Sequence, residues 1–89
     1  MNIKFIEHAE IRMKERGASS KEALLTIESG EKFTAKFNRI GYRRNFSFGK
    51  TWKGKFYNTK QVEAYTVQEG DDLIIVTVIV KYFWAIKWR

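Results

Sequence analysis

At Gly30 the hydrophobic period of the chain changes. Before it, apolar residues recur at helical spacing. After it, they alternate, as strand residues do. Two helical segments followed only by strands leave no room for a repeated β-α-β unit. The pattern predicts an α+β domain, an N-terminal helical pair packed on a curved antiparallel β-sheet of about four strands.

The first helix is predicted over residues 5–16, with Ile6, Ala9 and Met13 as its apolar stripe and Gly17 ending it. The second is predicted over 20–29. Ser19 and Glu22 are spaced as a capping box, Ala23, Leu24 and Ile27 form the buried stripe, and Gly30 stops it. Strands are predicted over 32–37, 40–48, 53–58, 61–68 and 73–83, with EGDD at 69–72 turning the last two into a hairpin. The final strand, LIIVTVIVKYFW, is apolar on both faces, which marks it as central. No repeat, linker or low-complexity segment divides residues 1–89, so they read as a single domain.

Charge is segregated along this frame. The net charge is +7. Nine basic residues lie between Lys32 and Lys60 (Lys32, Lys36, Arg39, Arg43, Arg44, Lys50, Lys53, Lys55 and Lys60), and all ten acids lie outside that stretch. Such a field attracts polyanions, and it fits nucleic acid or an acidic protein partner. A solubility device is the plainer reading. In WKGKFYNTK, residues 52–60, aromatics interleave with lysines, as in surfaces that stack bases and hold phosphates. Arg43, Arg44, Lys53, Lys55, Lys60 and Lys81 are the candidate nucleic-acid contacts.

His8, Arg12 and Arg16 follow one another at i, i+4 and i+8. Arg12 lies about 40° and Arg16 about 80° around the helix from His8, along an edge that borders the core face. An imidazole there suits general acid–base work, and guanidinium groups suit phosphate. The plainer reading is a solvated edge in which Arg12 pairs with Glu15. Tyr82, near the end of the last strand, is a further candidate as a proton donor. There is no cysteine and only one histidine, so neither a disulfide nor a zinc site is expected, and no metal or other cofactor is implied. MNIKFIEHAE has no signal-like apolar run, and LIIVTVIV is too short to span a bilayer. A soluble cytoplasmic protein without a membrane partner is expected.

The opening HAEIRMKERGASSKEA resembles a family of small bacterial domains that begin His-Ala-x-x-Arg-Met-x-x-Arg-Gly and continue into a second helix. That family, of unknown function, is grouped with RelE-like and BrnT-like ribonuclease toxins. WKGKFYNTKQVEAYTV followed by DDLIIVTVIVKYF is similar to its strand–turn–strand ending, so the likeness covers nearly the whole chain. The resemblance implies a metal-independent ribonuclease, the toxin half of a toxin–antitoxin pair. RNA, free or on the ribosome, would be its substrate, and an acidic antitoxin would be its partner. His8, Arg12, Met13, Arg16 and Gly17 match the motif directly. His8 would activate the ribose 2′-OH, Arg12 and Arg16, helped by Lys55 or Lys60, would stabilise the phosphoryl oxygens, and Tyr82 or a lysine would protonate the leaving oxygen. The alternative is a non-catalytic module that binds RNA or an acidic protein.

Overall fold

The structure, a computed structural model, describes residues 2–84. Its elements run β1 (Asn2–Phe5), α1 (Glu7–Arg16), α2 (Ser20–Ser29), β2 (Glu31–Thr34), β3 (Ile40–Trp52), β4 (Lys55–Glu69) and β5 (Asp72–Phe83). The strands form one open five-stranded sheet in the order β1-β5-β4-β3-β2. The α+β class and the helical pair agree with the sequence expectation. Two details differ. The chain opens on a strand, and that strand runs parallel to β5, Asn2 opposite Asp72 and Phe5 opposite Ile75, so the sheet is mixed. A strand of four residues pairing with one seventy positions away leaves no local periodic signal. The segments predicted over 53–58 and 61–68 are also one continuous strand, β4.

Both helices cover the same face of the sheet. Ala9 and Met13 of α1 and Ala23 of α2 close over Val62, Ile75 and Val78, with Ile3, Phe5, Ile27, Phe46 and Val80 packed around them. Directly opposed residues of an antiparallel pair share a face. The registers Phe46–Lys60, Val62–Val80 and Ala64–Val78 therefore define the covered face. Arg43, Asn45, Gln61, Glu63, Tyr65 and Lys81 belong to the other face. No helix covers it.

The caps work as their residues predict. Gly17 ends α1 at φ 83, and Ser19 and Glu22 form the reciprocal capping box of α2. Gly30 serves differently. Its φ is −86°, open to any residue, but a Cβ there would lie 2.3 Å from the Thr26 carbonyl and 2.5 Å from that of Arg43. Two expected core positions are exposed. Ile6 is the N-cap of α1, and Leu24 points outward while Thr26 is buried in its stead. Thr26 is tolerated there because its hydroxyl donates to the Glu22 carbonyl at 2.7 Å. Trp84 is exposed beyond the end of β5, and Trp88 lies outside the described residues.

Candidate nucleic-acid interface

The residues expected to act together on α1 are separated by their surroundings. His8 is exposed in the first turn and makes no hydrogen bond or ion pair among the described residues. Arg12 pairs with Glu15 at 2.8 Å. Arg16 turns inward, and its Nη1 donates to the Val78 carbonyl at 2.7 Å. Val78 lies past Ile75, where β1 stops pairing, so Arg16 satisfies a carbonyl that the short strand leaves open. About 12 Å of helix rise separates His8 from Arg16.

Tyr82 lies at the far end of that helix. Its hydroxyl donates to the Arg16 carbonyl at 2.7 Å. Its ring stacks on Trp52 at 5.2 Å and meets Phe48 at 5.3 Å and Tyr57 at 5.4 Å. Burial, then the nearby Glu22 carboxylate, pushes its pKa up to about 12. The proton expected to serve a leaving oxygen is instead held against a helix carbonyl. Folding favours the protonated phenol, so its contribution is complete below the ordinary value of 10 and is lost as pH rises toward 12. In urea titrations between these values, wild type should lose stability more steeply than Tyr82→Phe. Parallel curves would show that another group governs the alkaline limb.

Lys60 is a second correction. It is 6% exposed, and its ammonium donates to the Gly17 carbonyl at 2.9 Å and to Glu22 Oε1 at 2.8 Å. The same carboxylate oxygen accepts from the Ser19 amide at 3.1 Å. Lys60 therefore ties the α1–α2 corner to the sheet and presents no charge to a phosphate. Alternation along β4 puts it on the covered face, beneath the corner, where the spacing of lysines alone gave no hint of depth.

The other hairpin lysines stay in solvent. Trp52 and Lys55 flank a two-residue turn, Lys53 and Gly54, whose φ values of 49 and 86 suit a tight hairpin. Lys53 Nζ lies 5.4 Å from the Trp52 ring centre, and Lys55 Nζ lies 5.8 Å from that of Tyr57. Lys50, opposite Tyr57, shares that face. Phe56 is exposed beside Trp84, their rings edge to face at 6.2 Å.

On the uncovered face the polar residues form a ladder. Arg43 pairs with Glu31 at 3.1 Å and lies over the Phe33 ring at 4.4 Å. Arg44 points to the covered face and lies over Phe46 at 4.6 Å. Glu63, 3% exposed, accepts from the Tyr65 hydroxyl at 2.8 Å and pairs with Lys81 at 3.2 Å. Burial, then the Glu63 hydrogen bond, holds the Tyr65 pKa above its usual value. Lys81 and Tyr82 are neighbours in sequence and lie on opposite faces. Lys81 is therefore with Glu63 and away from α1.

The structure thus gathers Lys53 and Lys55 around aromatics, leaves Arg43 on the open face, and places Lys60, Arg16 and Tyr82 in the framework. Glu63, Tyr65, Phe33 and Phe37 were not expected to matter. For Phe33 the sequence held one trace, a glycine inside a strand at Gly41, and the structure gives its reason, since a Cβ there would lie 2.4 Å from Phe33 Cζ. Among the described residues no three His, Asp or Glu side chains gather as a metal site, and no helix is long and apolar enough to cross a membrane. No protein-family model matches the chain, and neither a curated protein nor a solved structure matches it.

Proposed function

We propose that this domain binds RNA through the acid-free stretch Lys32–Lys60. One observation carries the reading. Of its nine basic residues, only Arg43 and Lys60 find a carboxylate among the described residues, Glu31 and Glu22. Lys32, Lys36, Arg39, Arg44, Lys50, Lys53 and Lys55 pair with no carboxylate among the described residues. The ten acids lie on the helices, on the β4–β5 hairpin and at Glu31 and Glu63; the last two flank Arg43 in the sheet, and the hairpin lies at the same end of the sheet as the β2–β3 loop. A strand of phosphates would complete this surface, releasing counterions as it binds.

The test is the salt dependence of binding to a labelled single-stranded RNA. Each lost phosphate contact makes the log–log slope shallower by about 0.7. Replacing Lys50, Lys53 and Lys55 together with glutamine should make it shallower by about 2. Replacing Lys14 and Lys21 on the helices should leave it as in wild type. No binding by wild type, or equal slopes in both variants, would refute the reading. An acidic protein, such as an antitoxin, would compete for the same surface.

Ribonuclease activity is the second reading, favoured by an exposed, unengaged His8 one turn from Arg12. It requires RNA to reach the α1 edge. Its sign is cleavage in EDTA to cyclic phosphate ends, abolished in His8→Ala while binding persists. Cleavage unchanged by that substitution would remove His8 from the chemistry.

A further inference from the structure

The loop between β2 and β3 holds a large aromatic residue in an expensive position. Phe37 has φ 62, in the left-handed region, and is 81% exposed. A bulky residue without glycine's freedom is strained there. Nor does the ring recover stability by burial. The loop is closed by the Ala35 amide donating to the Arg39 carbonyl at 2.9 Å and the Arg39 amide donating to that of Lys36 at 3.2 Å. The bend is therefore built, and it aims the ring at solvent.

Beside Phe37 lies an open recess of about 380 Å³, floored by Phe33 and Tyr65. That volume is at the small end of the range of small-molecule sites. Phe33 meets Tyr65 edge to face at 5.9 Å. The Arg39 guanidinium lies 5.7 Å from the Phe37 ring centre. Neither Lys36 nor Arg39 pairs with a carboxylate among the described residues. Aromatic planes with free cations at their edge suit a flat ring that carries an anion.

We infer that this recess takes one unstacked nucleobase of single-stranded RNA on Phe37, with the adjoining phosphate between Lys36 and Arg39. The inference rests on the RNA reading above and adds a single-strand requirement to it. A duplex keeps its bases stacked and could meet only the cations. β3 separates the recess from the β3–β4 turn by about 40 Å of extended strand, so the two ends of the basic surface make independent contacts.

Phe37→Gly and Phe37→Trp separate a binding role from a structural one. Glycine relieves the left-handed strain, so Tm should hold or rise, while affinity for a short single-stranded RNA falls about tenfold or more. Tryptophan should retain affinity. The salt slope should not change in either variant, because no cation is removed. Affinity for a blunt RNA duplex should be equal in all three proteins. Adenosine 5′-monophosphate should shift the backbone amide resonances of residues 36–39 of the wild type, and inorganic phosphate alone should not. Wild-type affinity for single strands in Phe37→Gly overturns the inference and leaves the RNA reading standing. Nucleotide shifts without RNA binding would refute the RNA reading and keep the recess as a nucleotide site. Absence of both shifts and RNA binding, or an acidic peptide giving the same shifts as the nucleotide, overturns it.

Discussion

Replacing Lys60 with methionine is expected to lower stability by about 3 kcal/mol and Tm by roughly 12–24 °C. Breaking a buried ion pair by removing one partner is costly because the other charge stays behind. Here the Lys60 side chain is 7% exposed and that of Glu22 is 25% exposed, so Glu22 keeps some water and the loss sits at the lower end of the usual range. The ammonium also serves the Gly17 carbonyl and lies 5.3 Å from the Phe48 ring centre. Methionine fills the space and supplies none of these contacts. Adding Glu22→Gln should recover part of the loss, since no uncompensated charge then remains. Below its melting range, Lys60→Met should bind RNA with the wild-type salt slope. A stable variant with a shallower slope would mean that Lys60 works as a surface phosphate contact.

Replacing Gly17 with alanine should cost about 3 kcal/mol, from two sources. A non-glycine residue in the left-handed region loses about 1–2 kcal/mol. The new methyl would also lie 2.6 Å from the Tyr82 hydroxyl and 2.8 Å from the Trp52 ring, and displacing packed side chains adds about 1–3 kcal/mol. Urea unfolding measures the total. Near-ultraviolet circular dichroism should change with it, because the Trp52–Tyr82 stack must shift. Asparagine tolerates the backbone conformation and keeps a Cβ, so Gly17→Asn should remove the first part and keep the second. If alanine cost less than about 1 kcal/mol, the α1–α2 corner would not depend on this close approach.

The helices were legible because their signals are local. Ser19 and Glu22 lie three residues apart, and Gly17 sits at the last turn of α1, so each cap involves atoms within one or two turns. The β4–β5 hairpin was legible for the same reason, through EGDD. β1 was not. Its four residues pair only with a strand at the other end of the chain. The stripe of α2 was half read. Leucine outranks threonine in hydrophobicity, yet Thr26 faces the sheet because the angular position of a residue decides its burial and its hydroxyl can bond to its own helix.

The candidate surface divides in the same way. Charge segregation is a property of order along the chain, and the sequence alone determined that Lys32–Lys60 carries nine cations and no acid. It also determined the α+β class, since period and caps arise between near neighbours. Only the tertiary structure decided which cations remain available. Lys60 and Lys55 look alike in WKGKFYNTK, and one lies beneath the helix corner while the other stands at a turn. Arg16 and Arg12 are one helical turn apart, and one reaches a strand carbonyl while the other meets Glu15. The groups that hold Lys60 and Arg16 come from about forty to sixty residues away, whereas Arg12 and Glu15 are close neighbours whose pairing was already legible in the sequence. Local pattern can tell what a segment becomes; which side chains remain free to bind is settled by what folds against them.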